Sequence, residues 1–472
     1  MITFICALIL LVVGYMLYGR LAENVFRPDG RPTPAVDHPD GVDYVPMKTW
    51  RVFLVQLLNI AGTGPIFGAL LGAVFGPVVF LWIVFGSILG GGIHDYMSGM
   101  ISERLNGASI SEIVGRYLGK TAKQIMRVFS VILLVLVGAV FSTSPAGLLA
   151  RLTPEWMNTN FWVVVILIYY LLATLLPIDK RIGKIYPLFG VLLLSMAVGV
   201  IGGLIAGGYT LPELSLANQN PEGQPVWPFM FITVACGAVS GFHATQSPMM
   251  ARCIKTERDG RKVFYGAMIA EGVIALVWAA AGVAFYGATG GLQNALNELG
   301  QSGVVYDISV SLLGVVGGAL AIIGVVVCPI SSGDTAFRSA RLTIADWFHI
   351  DQGNLKKRLA VTLPLLAVGA ALTQLDFDVV WRYFSWSNQT LAMITLWAAA
   401  MYLAQHAQKW WYSLIAAVPA VFMSAVSLTY ILMADEGLRV SQTIAYPVGL
   451  AFALACAVLY GVKARQKGAQ LQ

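Results

Sequence analysis

Two stretches of the chain that are otherwise apolar enough to cross a bilayer carry a polar, glycine-marked segment at mid-length: NIAGTGP, Asn59 to Pro65, and GFHATQSP, Gly241 to Pro248. In hydrocarbon a broken helix leaves backbone N–H and C=O groups unpaired, which is tolerated only where a cavity, an ion or a substrate satisfies them. A pair of such breaks therefore points to a binding site inside the membrane. Composition fits that setting. Hydrophobic residues make up 57% and charged residues 11%, against about 45–50% and about 25% in ordinary soluble domains. The net charge of +6 would suggest nucleic acid only if the basic residues formed a soluble patch, and they fall between apolar runs instead. The expected partners are the lipid bilayer and a small-molecule substrate, with no nucleic acid; the sequence sets no oligomeric state.

Of the five cysteines, Cys6, Cys236, Cys328 and Cys456 lie in apolar segments and Cys253 just beyond one. No spacing suggests a disulfide framework or a thiolate metal site, so they read as small buried apolar residues. The run Ile2 to Leu17 lacks a basic leader and a small-residue cleavage site, and Arg20 follows it, which favours a retained first helix.

A window of about 20 residues gives about 13 candidate spans, centred near residues 10, 63, 88, 134, 169, 195, 238, 276, 317, 366, 391, 422 and 452. Of the 30 Lys and Arg, all but Arg151, Arg382 and Arg439 fall in the odd-numbered loops or the tail, Lys180, Arg181, Lys184 and Lys467 among them. By the positive-inside rule the N-terminus is outside and the C-terminus cytoplasmic. The helix with NIAGTGP then runs from inside to outside and the one with GFHATQSP the opposite way. They open two consecutive five-helix blocks, 51–210 and 226–408, and an odd number of spans inverts the second block relative to the first. Residues 1–50 supply an extra helix and a cytoplasmic loop, and 409–472 two further helices and a tail. The expected fold is an all-α polytopic membrane protein, a five-plus-five inverted repeat with two broken helices, which is a signature of secondary transporters.

In NIAGTGP, Asn59 and Thr63 accompany Gly62, Gly64 and Pro65; glycine permits non-helical dihedrals and proline removes a donor, so nearby carbonyls are freed for a cation or substrate. The alternative is a proline kink with close helix packing. GFHATQSP brings His243, Thr245 and Gln246, and a histidine in a span by default faces a cavity or a partner, where it suits proton coupling or carboxylate binding; a neutral packing histidine is the competing reading. The third span carries His94 beside Asp95, which point about 100° apart on a helix and form no chelating pair by themselves. A proton relay and a structural, capping Asp95 are both open. A transition metal there would need another ligand from a different helix, His243 being the candidate. Glu271 is the most isolated acid in any span and fits either a proton carrier or a hydrogen-bonded structural acid.

CPISSGDTAFRSAR, Cys328 to Arg341, offers Ser331 and Ser332 as hard oxygen ligands for sodium, and Asp334 with Arg338 at i,i+4 as an intracellular gate pair. FSWSNQT places Asn388 and Gln389 below Arg382, a candidate outer gate or attractor of anions, or a plain interfacial anchor. A substrate carboxylate is expected at a half-helix N-terminus. GRYLGKT, Gly115 to Thr121, only superficially ends like a phosphate loop: the earlier glycine position is Val114 and no strand precedes it. ATP-driven pumping is not expected, and no cofactor beyond a coupling ion, H⁺ or Na⁺. An uncoupled channel or sensor, and more remotely a membrane enzyme, remain alternatives; for an enzyme the scattered His94 and His243 offer no nucleophile and base constellation.

The segments NIAGTGPIFGALLG, GPVVFLWIVFGSILGGGIHDYMSGMISERLNGASISEIVGRYLG, GFHATQSPMMAR, ISSGDTAFRSARL and WSNQTLA together resemble the carbon starvation protein A family of bacterial transporters, over most of residues 48 to 400. The resemblance implies nutrient uptake when carbon is scarce, of peptides in some members and of pyruvate with a proton in others. It also implies the amino acid, polyamine and organocation transporter (LeuT-like) architecture, with NIAGTGP and GFHATQSP as unwound core helices and Ser331, Ser332 and Asp334 near the ion position of sodium-coupled relatives. The chain is shorter than the long enterobacterial members.

Overall fold

The helices break where the backbone chemistry of the sequence changes. The computed structural model describes residues 1–40, 44–175 and 179–468, without the side chains of 175, 179–186, 321, 323 and 467–468; Lys180, Arg181, Lys184 and Lys467 lie among those undescribed side chains. The chain opens with α1 (Ile2–Phe26), then α2 (Thr49–Ala61), α3 (Gly64–Ala73) and α4 (Val79–Arg104). The short α5 (Ile110–Leu118) leads into α6 (Lys120–Leu152), α7 (Thr159–Leu175) and α8 (Asp179–Ala206). After a long loop come α9 (Val226–Thr233), α10 (Gly241–Ala251), α11 (Glu257–Phe285) and α12 (Thr289–Ile322). The chain continues through α13 (Cys328–Trp347), α14 (Leu355–Leu372), α15 (Phe377–His406), α16 (Leu414–Met433) and α17 (Gln442–Gly468).

Among the described residues, eight helices are long and apolar enough to cross a membrane, or up to nine when the bent pair α2–α3 counts as one span. The other four expected spans fall on α7, on the split pair α9–α10, and on α14 and α15. The α2–α3 bend is 48°. It is made at Gly62, whose φ of +50° favours glycine, and a Cβ there would press on the Phe141 ring. Pro65 sits in the first turn of α3, where its missing N–H removes no intrahelical bond.

The second break departs from the expectation. GFHATQSP is helical, as the body of α10, and the unwound residues are Val234–Ser240 just before it, with Gly237 at φ +91°. Pro248 inside α10 withholds one N–H, which one helix can absorb, whereas the left-handed turn at Gly237 ends regular helix outright. Ser240, with extended backbone, occupies the N-cap position of α10.

The two breaks touch. A Cβ on Gly64 would collide with the Cys236 side chain, and one on Gly237 would lie 3.5 Å from Pro65 Cα. Close approach of backbones through small residues is how helices associate where no hydrophobic force separates them from lipid. Around the crossing lie α4, α6, α11, α13 and α15, while α1 and α17 expose apolar side chains along their length as lipid-facing helices do. In α4 the run Gly86–Gly91 forms a π-turn against the second break, and Tyr265 Oη donates to the Ile88 carbonyl that it loosens (2.7 Å).

Candidate functional site

Four ionisable residues from three helices form one buried chain beside the crossing. Asp95 on α4 sets one carboxylate oxygen 2.8 Å from Nδ1 of its neighbour His94 and the other 2.8 Å from Nδ1 of His243 on α10. His243 Nε2 lies 3.3 Å from Glu271 Oε2 on α11. All four are fully buried. His94 and Asp95 do diverge along the helix, yet a bent side chain lets the carboxylate reach back to the adjacent ring. Glu271, expected to be isolated, faces a histidine instead. The Nε2–Oε2 approach is not aligned as a hydrogen bond and neither Glu271 oxygen has a well-aligned partner, although the Gly237 N–H of the second break approaches the carboxylate.

Tautomers follow from these distances. A carboxylate held between two Nδ1 atoms accepts from both, so each imidazole carries its proton on Nδ1 and His243 presents a bare Nε2 to Glu271. A lone pair facing a carboxylate is repulsive; one shared proton turns the pair into either a neutral acid beside a neutral imidazole or an ion pair.

The second break is framed by side chains from other helices. Trp82 Nε1 donates to the Val234 carbonyl and Ser87 Oγ to the Gly237 carbonyl, each at 3.0 Å. Asn388 Oδ1 accepts from the Phe242 N–H (2.6 Å) and from Ser240 Oγ (3.2 Å), and Gln389 Nε2 donates to the Phe231 carbonyl (3.0 Å). Asn388 and Gln389 thus brace the broken backbone. Asn388 occupies the N-terminus of α10, where the sequence suggested a substrate carboxylate.

The first break is left open in hydrogen-bonding terms. Ser332 Oγ on α13 donates to the Leu58 carbonyl (3.1 Å), but both amide atoms of Asn59, the Thr63 hydroxyl and Gln56 Oε1 are buried without a partner, as is Gln246 Oε1 on the facing α10. Each such group costs about 1–3 kcal/mol when unpaired, so this cluster is suited to a polar ligand. Thr245 Oγ1 donates to the Phe242 carbonyl (2.7 Å) and receives Gln246 Nε2 (2.9 Å). Gly62 and Gly64 supply backbone where no side chain fits.

The other candidates lie apart from this chain. Ser331 Oγ donates to the Cys328 carbonyl (2.7 Å), and Asp334 is 3.7 Å from Arg338, whose Nη2 also reaches the Ala173 carbonyl on α7 (3.2 Å). Arg382 pairs with Glu436 at 3.2 Å. A cavity of about 640 Å³ lies to the side, between α4, α9 and α16, lined by Trp82, Phe231 and Phe422; its apolar walls suit acyl chains better than a polar substrate.

Two groups escaped the sequence reading. Cys236 stands in the second break near His243 and Glu271; with the helix unwound, no periodicity announces that contact. Buried Glu257 accepts from Arg104 Nε (2.8 Å) and from the Asp29 N–H (2.7 Å), while Arg104 Nη2 holds the Arg27 carbonyl (2.7 Å). This knot straps the segment after α1 to the end of α4, and its only sequence signal is a charge at each of two helix ends.

The family profile described as carbon starvation protein CstA matches residues 1–157 and 150–297. An uncharacterized membrane protein of Haemophilus influenzae is 42% identical over 63% of this chain and 94% of its own length. The peptide transporter CstA of Bacillus subtilis is 26% identical, covering 89% and 88%, and the pyruvate/proton symporter BtsT of Escherichia coli is 31% identical, covering 56% of this chain and 46% of BtsT. Among solved structures, MhsT in complex with L-phenylalanine superposes with a TM-score of 0.55 at 15% identity, covering 88% of this chain and 98% of MhsT. Mhp1 in its inward-facing conformation gives 0.52 at 15%, covering 89% and 90%. Both likenesses concern the fold alone, a LeuT-type transporter fold. The characterised relatives are membrane transporters and not enzymes, and the chain belongs to the carbon starvation protein CstA family of multi-pass membrane transporters.

Proposed function

We propose that this chain is a secondary active transporter of a bacterial cytoplasmic membrane, importing a peptide or a small carboxylate such as pyruvate together with a proton when carbon is scarce. The observation that carries the reading is the chain His94–Asp95–His243–Glu271, which joins α4, α10 and α11 beside the open polar groups of the first break. The pair His243–Glu271 is complete only with one proton, so the closed arrangement is the loaded one, and release of that proton to one side repels its two members. The activities of the relatives, a pyruvate/proton symporter and peptide transporters, agree with it.

In this reading the thirteen spans form the inverted repeats 51–210 and 226–408, with N-terminal residues 1–50 and C-terminal residues 409–472 as additions, N-terminus out and C-terminus in the cytoplasm. Access alternates by rocking of helix bundles around the crossed breaks. Asn59, Thr63 and Gln246 contact substrate, with Gly62 and Gly64 offering backbone, while Thr245, Asn388 and Gln389 hold the second break in shape. Arg338 and Arg382 act as the inner and outer latches. Sodium at Ser331, Ser332 and Asp334 is the second coupling scheme. The proton is favoured because the buried ionisable chain His94–Asp95–His243–Glu271 lies beside the open polar groups of the first break; Ser331 and Ser332 donate to carbonyls and keep the oxygen lone pairs that sodium would use.

The test is uptake of labelled pyruvate and labelled dipeptides into proteoliposomes, with proton and sodium gradients imposed separately. A proton gradient alone should drive saturable accumulation of one of them above equilibrium. Accumulation under sodium alone would move the coupling to α13, and flux that neither saturates nor exceeds equilibrium would replace the transporter by a channel.

A further inference from the structure

We propose that Cys236, His243 and Glu271 form a binding site for a divalent cation of the zinc class, which competes there with the coupling proton. The sulfur of Cys236, a ring nitrogen of His243 and a carboxylate oxygen of Glu271 all lie within 4.8 Å of one another, and all three residues are buried. The atoms that face the gap are weakly held: His243 Nε2 and both oxygens of Glu271 make no well-aligned hydrogen bond, and the Gly237 N–H approaches the Glu271 carboxylate. The thiol makes long contacts, 3.5 Å to Ser240 Oγ and 3.7 Å to Asn388 Nδ2, and also approaches the His243 ring.

Behind the imidazole, Asp95 grips Nδ1 at 2.8 Å. A carboxylate in that position fixes the tautomer and the ring orientation of a metal-binding histidine, so that Nε2 is delivered to the ion. His94, on the other oxygen of Asp95, steadies the carboxylate in turn.

The donor set decides the metal. Thiolate with imidazole selects zinc and its neighbours, whereas magnesium, calcium and manganese prefer all-oxygen sites. Zinc binds sulfur at about 2.3 Å and nitrogen at about 2.0–2.1 Å in tetrahedral geometry, so the ligand atoms need to draw together by only about 1 Å. Three protein ligands leave a fourth position for water or a substrate oxygen. Loading expels the Cys236 thiol proton and the proton shared by His243 and Glu271, which makes binding weaken as pH falls. Competition with transport rests on the proton-coupled reading above; the binding itself does not. The ion enters when the breaks part during the cycle, because the site is closed in the present arrangement.

The experiment uses the purified full-length chain with Co²⁺ as the spectroscopic probe and Zn²⁺ as the competitor. One Co²⁺ per chain should give a thiolate-to-cobalt charge-transfer band that Zn²⁺ abolishes. Glu271→Gln should keep the band and weaken cobalt binding at least about tenfold, and Cys236→Ser should remove it. In proteoliposomes, Zn²⁺ should inhibit proton-driven uptake, with at least about tenfold lower potency against Cys236→Ser. No band in the wild-type chain, or an unchanged band in Cys236→Ser, overturns the site. A band that behaves as stated, in a protein that no proton gradient drives, supports the site and overturns the coupling instead.

Discussion

The two breaks answer one physical problem in opposite ways. In the second, every exposed group named above is taken by a side chain of another helix: Trp82 and Ser87 from α4, Asn388 and Gln389 from α15. In the first, Ser332 takes one carbonyl, and the side chains of Gln56, Asn59 and Thr63 are left with buried, unpaired atoms. A satisfied break is a rigid part, since a complete polar network specifies one arrangement. An unsatisfied one keeps buried donors and acceptors that a polar ligand could pair. Under the proposed function the contrast divides a frame from a ligand site, with the titratable chain on the frame, where its geometry is held.

Substitutions should divide accordingly. The largest effect is expected at the frame: Asn388→Ala strips partners from Phe242 N–H and Ser240 at once, a loss of about 2–6 kcal/mol for two buried groups at about 1–3 kcal/mol each, visible as a lower unfolding temperature in detergent. Next is the crossing itself. Gly64→Ala drives a methyl group into Cys236 and should cost about 1–3 kcal/mol as overpacking; Cys236→Gly in the same chain should recover part of it, a coupling that a double-mutant cycle reads directly. Asn59→Ala tests the ligand side. It removes atoms that have no partner, so the unliganded protein should unfold at an unchanged temperature while the apparent substrate affinity falls at least about tenfold, which is about 1.4 kcal/mol. If Asn59→Ala destabilised the protein and Asn388→Ala did not, frame and site would have to be exchanged.

The smallest effect lies far from both breaks. The N-terminal ammonium and Thr3 bond to the carboxylate of Glu213 in the loop after α8, holding its pKa down to about 2. A depressed carboxyl contributes above its unfolded value, about 4.5, and that contribution fades as pH falls from there towards about 2. The protection of the Ile2 and Thr3 amides, whose N–H groups donate to Glu213 at 2.9 Å, should fall over this range when exchange is taken relative to the intrinsic rate at each pH, while the protection of α10 stays unchanged.

Much of this was readable from the chain. Long apolar runs are the strongest signal a sequence carries, and Gly62 with Pro65 marked the first break because glycine at positive φ and proline in a first turn are local requirements. The second break was displaced by a few residues because Pro248 drew attention to a place where the helix tolerates it. Ser240 before Gly241 was the better guide, as an N-cap residue announcing where α10 starts. His94, Asp95, His243 and Glu271 each stand out as costly groups in apolar surroundings; the sequence offers His243 as one candidate partner for His94 and Asp95, but the addition of Glu271 could not be read, since it depends on how α4, α10 and α11 cross. Cys236 was invisible for the same reason: a cysteine in an apolar run looks like packing until its neighbours are placed.

The central claim is that one proton on the His243–Glu271 pair couples transport at the crossing. Glu271→Gln in proteoliposomes tests it most directly, with accumulation under a proton gradient and substrate exchange at equal pH measured on the same preparation. Accumulation above equilibrium should disappear in Glu271→Gln while exchange persists. Unchanged gradient-driven accumulation in Glu271→Gln would contradict it.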